Sequence, residues 1–354
     1  MRMASDTTVK LLICLLVLLL FYFYLICTRM EGYEVNNIGF LERVGPLQRQ
    51  KDSLQQKVWE MERNIHRYSL RLESLDTQIR DRLQLLSNRK KSSLPMIYFI
   101  TPTAFRVEQK ADLTRLSQTL AQVPNLHWIV VEDAETQSKS VSDIIKRSRL
   151  PYSHLSIQTP SDKKMKPSDR HSLIPRGVSQ RNAALEYIRS NLGSSRNGVI
   201  YFGDDDNTYD WRLFDEMRRI KRVGVWPVGA VGGLLAEHAL LDYNGAVTGF
   251  NALWKPERPF PIDMAAFAVN ITLVLDNIEA GFSFDVPEGY QESHFLQSCG
   301  IASQSEMESL GDFANKVYVW HTRTEKSELS EEMIEVLNDR IKLSPVEKDA
   351  LGID

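Results

Sequence analysis

Cysteine is scarce in this chain: Cys14, Cys27 and Cys299 are the only three among 354 residues. That number closes neither a disulfide framework nor a four-thiolate structural zinc site. No excess of charge of one sign is present either. The 43 lysines and arginines face 46 aspartates and glutamates, for a formal net charge of -3. A general nucleic-acid binder would carry a basic surplus, so that class is set aside. The sequence has no G-x-x-x-x-G-K-[ST] run and hence no P-loop signature. Gly and Pro, at 18 and 14, are too few for a collagenous or low-complexity chain, and the 43% apolar content is ordinary. The length allows two ordinary domains, or one large domain with appendages.

What is present is unevenly distributed. Residues 11–27 (LLICLLVLLLFYFYLIC) form a run of 17 without a charge, at the short end of what spans a bilayer core. Tyr22 and Tyr24 lie towards one end, where amphipathic rings suit the interface. A cleaved signal peptide is the rival reading, but Cys27-Thr28-Arg29 follows in place of a small-x-small cleavage pattern. Arg2 and Lys10 precede the run, so the expected layout is a short cytosolic tail (1–10), an anchor (11–27) and a luminal remainder. Within a stem over 28–93, apolar residues recur at Leu54, Val58, Met61, Ile65, Tyr68, Leu72, Leu75, Ile79 and Leu86. Steps of four and three with charged residues between them predict a coiled coil over about 47–86. A single amphipathic helix lying on its own catalytic body is the alternative.

From about residue 94 to 354 the pattern changes. Met96–Ile100, Trp128–Val131 and Val199–Phe202 are short β-branched and aromatic runs, each ending in a polar turn: Thr101-Pro102-Thr103, Glu132-Asp133 and Asp204-Asp205-Asp206. Helical patterns lie between them at Leu113–Gln122 and Val178–Ser190. Strand, polar loop and helix in alternation predict an α/β domain with a mainly parallel central sheet. Ligands of such sheets bind at the carboxyl ends of the strands, so the three polar turns are expected on one rim.

Three adjacent carboxylates at 204–206 repel one another and suit a divalent cation, Mg2+ or Mn2+, with oxygen ligands. A solvated acidic turn is the plainer reading; an EF-hand lacks its Gly and Glu positions. Arg176 and Arg181 flank a helix start in PRGVSQRN and could receive an anion, as could His321 and Arg323 after the apolar residues 319–320.

Taken in order, VVEDAE (130–135), PRGVSQRNAAL (175–185), YFGDDDNTYD (201–210), VWPVGAVGG (225–233), RPFPIDMAAFAVN (258–270), GYQES (289–293) and VWHTRTEK (319–326) resemble the animal β-1,3-glucuronosyltransferases, glycosyltransferase family 43. The resemblance covers nearly all of residues 96–326. It implies a GT-A type fold, UDP-glucuronate as donor, Mn2+ as cofactor and transfer to the 3-hydroxyl of a terminal galactose on a glycan or proteoglycan. It also implies Golgi membrane residence and a homodimer. Carried over by position, Asp206 matches the metal ligand, Asp205 the residue holding the ribose, with Asp204 beside them, and Asp133 the carboxylate reading the uracil edge. Arg176, Arg181, His321 and Arg323 match contacts to the uridine diphosphate or the glucuronate. Glu292 matches the catalytic base, and Glu237, Trp254, Arg258 and Asp263 match residues around the acceptor sugars and the donor carboxylate.

Some positions depart from the family pattern. Ala104 stands where members usually have the Tyr that stacks on uracil, with Phe105 one place on. Gly203 replaces a usual Ala, an exchange expected to be mild. Acceptor signals conflict: Trp254 with Pro259-Phe260-Pro261 resembles the branch capping Gal-Gal-Xyl, whereas GYQES and FAVN resemble the branch acting on N-acetyllactosamine. Asn270-Ile271-Thr272 is the only N-glycosylation sequon, within an apolar stretch. An inactive relative acting as a sugar-binding or scaffolding protein is the alternative function.

Overall fold

The structure is a computed structural model describing residues 6–29, 45–66, 68–69, 72, 94–164, 174–193 and 195–353. It divides into two units, Met1–Leu86 and Ser87–Asp354.

In the first unit, helix α1 spans Asp6–Arg29, and its described side chains, Cys14 to Ile26, are all exposed. Among the described residues no helix is long and apolar enough to cross a membrane. The expected anchor at 11–27 extends beyond those described side chains at both ends. A second helix, α2, covers residues 45–66. The described part of the heptad seam, Leu54, Val58, Met61, Ile65, Tyr68 and Leu72, is exposed throughout. Leu75, Ile79 and Leu86 fall outside the described residues.

The second unit is built on two sheets. The apolar runs become strands: β1 (Met96–Thr103), β2 (Leu126–Glu132), β3 (Tyr152–Ser156) and β4 (Gly198–Phe202). They are followed by β5 (Thr208–Tyr209), β6 (Val223–Val225), β7 (Val228–Val231), β8 (Leu234–Leu241), β9 (Val247–Asn251), β10 (Phe267–Asn270), β11 (Met307–Ser309) and β12 (Val319–Trp320). Seven strands form a mixed sheet in the order β11-β6-β10-β4-β1-β2-β3, and five form a second in the order β5-β12-β7-β8-β9. The pairs β1–β2, β1–β4, β2–β3 and β6–β11 are parallel; β10 runs antiparallel between β4 and β6. Phe99, Ile100, Trp128, Ile129, Ile200 and Tyr201 are almost wholly buried, as strands covered on both faces require.

Two boundaries differ from the sequence reading. Strand β1 continues through Thr101-Pro102-Thr103, because these residues pair with Val130, Val131 and Glu132 of β2. Pairing with β4 ends at Ile100, so Pro102 sits where one side of the strand is an edge and its missing N–H is tolerated. Helix α3 (Gln109–Leu120) starts before the apolar period does, since its first turn buries the polar Gln109 and Asp112. Helix α4 (Lys139–Ser148) is capped by the Ser138 hydroxyl, and α5 (Val178–Tyr187) begins at Gly177.

Candidate active site

Fully buried β4 delivers Gly203-Asp204-Asp205-Asp206 to the carboxyl rim of the sheet. The space that an alanine methyl would occupy at 203 is filled by the Phe99 ring: a Cβ there would lie 2.0 Å from Phe99 Cζ. Glycine is therefore a packing requirement at this position and the exchange is not mild.

The three carboxylates have different surroundings. Asp204 accepts from Arg181 Nη2 at 2.8 Å. Asp205, 6% exposed, accepts from the Thr103 hydroxyl at 2.6 Å and from both terminal nitrogens of Arg106 at 2.9 Å. This is a forked, charge-assisted pair. Among the described residues no bond to the Asp206 carboxylate is recorded, and burial, then Asp204 and Asp205, push its pKa up. Burial raises the pKa of Asp205 as well, against its bonds to Arg106, so Asp206 differs in having no arginine partner among the described residues, and a cation beside it would favour its ionised form. An unpaired carboxylate oxygen is a donor of the type that Mn2+ or Mg2+ would accept. Among the described residues no three His, Cys, Asp or Glu side chains form a metal cage.

Neighbouring loops hold this turn. Gly177 takes a positive φ of 72°, which lets Arg181 fold back so that its Nη1 donates to the Arg176 carbonyl at 2.8 Å. Arg176 and Arg323 themselves are exposed. At the end of β2 the two acids separate. Glu132 is buried and accepts from His154 Nε2 at 2.6 Å, which pulls its pKa down against the burial that raises it. Asp133 accepts from the backbone N–H and the hydroxyl of Thr159, both at 2.7 Å, and its own N–H donates to the Thr103 carbonyl. The 319–324 segment crosses above: Thr322 Oγ1 donates to the Asp206 carbonyl at 2.7 Å, and Thr324 Oγ1 to Asp112 at 2.6 Å. Asp112 also accepts from Arg106 and Arg115.

The second sheet supplies the other wall. Strand β12 lies parallel to β7 and places His321, whose N–H donates to the Gly229 carbonyl. His321 Nδ1 meets Asp263 Oδ2 at 2.9 Å, which raises its pKa and fixes the imidazole. Asp263 also caps the short helix Met264–Ala266 through Ala265 N–H. Glu237 on β8 is 6% exposed, and burial, reinforced by Asp263, pushes its pKa up to about 7. Glu292 lies in the first turn of the helix Gln291–Ser298; its side chain is 14% exposed. Burial and then Asp263 raise its pKa to about 7, against the pull of Arg258 and Arg181.

Arg258, 4% exposed, is committed to protein groups. It donates to the Gly289 carbonyl at 2.8 Å and the Lys255 carbonyl at 3.1 Å, and lies 3.6 Å from Glu292 Oε2. Its guanidinium also lies 5.0 Å from the Trp254 ring centroid. Trp254, 41% exposed, packs so closely on Gly289 that a Cβ there would fall 2.0 Å from the indole.

The fold accordingly gathers Glu237, Trp254, Arg258, Asp263, Glu292 and His321 into one cluster, and joins Arg181 to the 204–206 turn. Thr103, Arg106, Asp112, Thr159, Thr322 and Thr324 were not foreseen. Arg106 stands in the first polar loop, which the sequence presented as a stacking position only. Asn270 caps the helix Ile271–Asp276: its Oδ1 accepts from Thr272 N–H at 3.0 Å and from the Thr272 hydroxyl at 2.8 Å. Its Nδ2, the atom a glycan would need, donates to the Ile220 carbonyl.

Two buried acids with raised pKa values, a histidine–aspartate pair and arginine-paired carboxylates make a polar, ionisable site in an α/β domain. The sequence profile of Glycosyltransferase family 43 matches residues 116–325, and the chain belongs to that family. It is 50% identical over 353 residues to galactosylgalactosylxylosylprotein 3-beta-glucuronosyltransferase sqv-8 of Caenorhabditis elegans, covering 100% of this chain and 99% of that protein. The corresponding enzyme I of Drosophila melanogaster is 48% identical over 68% of this chain and 79% of its own length. Human enzyme 3 is 44% identical over 68% of this chain and 74% of its own length.

Proposed function

We propose that this protein is an inverting 3-β-glucuronosyltransferase that moves glucuronate from UDP-glucuronate to the 3-hydroxyl of a terminal β-galactose in proteoglycan linkage-region synthesis. The observation that carries the reading is Glu292, a carboxyl raised to a pKa of about 7 and 3.6 Å from Arg258, whose guanidinium lies against the half-exposed Trp254 ring. A base is most effective when its pKa lies close to the working pH. Relatives at 44–50% identity bear the galactosylgalactosylxylosylprotein name, which supports this acceptor class.

In the reaction, Glu292 takes the proton of the galactose 3-hydroxyl as that oxygen forms its bond to the anomeric carbon. The bond from that carbon to the diphosphate breaks on the opposite face, and UDP leaves with the electron pair. An α-linked donor thus yields a β-linked product. His321, its Nδ1 proton held by Asp263, and Arg323 supply positive charge to the departing diphosphate. Asp206 would hold Mn2+, which when bound neutralises charge on the leaving group. Asp133 and Asp205 are assigned to the uridine, and Arg176 and Arg181 to the diphosphate or the sugar.

The surrounding fold is of GT-A type in this reading. In this reading the uncharged run 11–27 is a membrane anchor, supported by the exposed apolar side chains from Leu15 to Ile26, with the catalytic unit luminal in the Golgi because Arg2 and Lys10 precede the run. The exposed seam of α2 supports a homodimeric stem. The test is an assay of solubilised protein with UDP-glucuronate, Mn2+ and either Gal-Gal-Xyl or N-acetyllactosamine acceptors. Acceptor-dependent release of UDP with a glucuronylated product is expected. Absence of product with both acceptors would refute the assignment.

A further inference from the structure

The acidic turn passes from one sheet to the other. It leaves β4 of the seven-stranded sheet and runs into β5 of the five-stranded sheet. His321 follows β12 of that second sheet, its N–H held by the Gly229 carbonyl and its Nδ1 by Asp263. Backbone pairing between β5 and β12 is confined to Tyr209 with Val319 and Thr208 with Trp320. Past these two pairs, threonine hydroxyls carry the connection.

Thr322 Oγ1 donates to the Asp206 carbonyl at 2.7 Å. That uses its one proton, so the Thr208 hydroxyl, 3.0 Å away, donates to it in turn. Two residues on, Thr324 Oγ1 donates at 2.6 Å to Asp112, which is 1% exposed. Asp112 also accepts from Arg115 and from Arg106, and Arg106 grips Asp205 with two bonds. One buried carboxylate on α3 thus reaches the acidic turn by two routes. Arg106 leads to the Asp205 side chain, and Thr324 with Thr322 leads to the Asp206 backbone. The Asp206 carboxylate has no arginine partner among the described residues, so its place follows from the backbone that Thr322 holds.

We propose that Thr322, braced by Thr324 on Asp112, is a positioning residue that fixes Asp206 for a divalent cation. The proposal rests on the reading of Asp206 as a metal ligand. The hydroxyls do no chemistry; they hold the acidic turn and the segment carrying His321 and Arg323 as one unit. Groups that orient a ligand residue without touching the metal commonly change metal affinity by roughly 10- to 100-fold.

The experiment compares full-length wild-type protein with Thr322→Val, Thr322→Ser and Thr324→Val. Mn2+ binding in the presence of UDP is read by electron paramagnetic resonance, kcat by UDP release at saturating Mn2+, and the fold by thermal unfolding. Thr322→Val keeps the side-chain shape without the hydroxyl, and its Mn2+ affinity is expected to fall roughly 10- to 100-fold, with kcat at saturating Mn2+ within about threefold of wild type. Thr322→Ser restores affinity to within about threefold. Thr324→Val breaks only the brace and is expected to lose about 3- to 10-fold, the worth of one hydrogen bond. It decides the matter if Thr322→Val does not fold. Mn2+ binding within twofold of wild type in the folded valine variants overturns the proposal alone, as does an equal loss in Thr322→Ser. A wild-type protein that binds no Mn2+ overturns the metal reading, and this proposal with it.

Discussion

Replacing Glu292 by glutamine separates chemistry from stability in one variant. In the folded protein the carboxyl pKa moves from 4.5 to about 7, chiefly by burial and secondarily by Asp263. At about 1.4 kcal/mol per unit, ionising it in place costs about 3 kcal/mol at pH 8, as an upper bound. The folded pKa lies above the unfolded one, so this cost is absent below about pH 4.5. It grows as pH rises towards 7 and is constant above. Glutamine never carries the charge. Arg258 loses an ionic neighbour at 3.6 Å but keeps its bonds to the Gly289 and Lys255 carbonyls. Glu292→Gln is therefore expected to match wild type in melting temperature near pH 4.5 and to exceed it at pH 8 by several degrees. Its kcat is expected to fall by a factor of about 10²–10⁴, the range for loss of a general base, with UDP affinity unchanged. Wild-type kcat/KM rises with pH through about 7 as the base deprotonates. Parallel calorimetric scans at the two pH values and single-turnover assays read these quantities. A kcat within tenfold of wild type, or a variant that melts below wild type at pH 8, would refute the reasoning.

Asp206→Asn is expected to weaken Mn2+ activation and Mn2+-dependent UDP binding while leaving the fold intact, because Asp204 and Asp205 retain their arginines; unchanged metal titration curves would count against it. Gly203→Ala drives a methyl into the Phe99 ring, and a loss of about 1–3 kcal/mol is expected in urea unfolding, partly recovered by adding Phe99→Leu. Asn270→Ala removes a helix cap and is expected to cost about 1 kcal/mol. Because the Asn270 amide is bonded within the fold, wild-type protein from secreting cells is expected to show no gel shift with an N-glycosidase; a shift would mean that the cap opens.

Much of the scaffold was legible in advance because its signals are local. The runs that became β1, β2 and β4 are apolar and β-branched over lengths that only a covered strand uses, and the acidic turn follows one of them directly. The start of α3 was missed because Gln109 and Asp112 look like surface residues until their partners are known. Pro102 looked like a turn because its toleration depends on where β4 stops pairing, a property of another strand. Residues 204–206 were legible as a group, yet their division into two arginine-neutralised carboxylates and one open one was not. The partner Arg106 comes from the loop after β1, about a hundred residues away, and Arg181 from helix α5, about twenty residues away.

By itself, then, the sequence carried the α/β class, the apolar run and heptad seam ahead of it, the acidic turn and the family. Each of these is written in periodicity, spacing or short motifs. Only the tertiary structure decided that Glu237 and Glu292 are poised near neutral pH and that Arg258 is occupied within the protein. It likewise decided that Asn270 is a cap and that Arg340 reaches Phe105. Desolvation and pairing are properties of a neighbourhood, and a neighbourhood exists only once distant segments have been brought together.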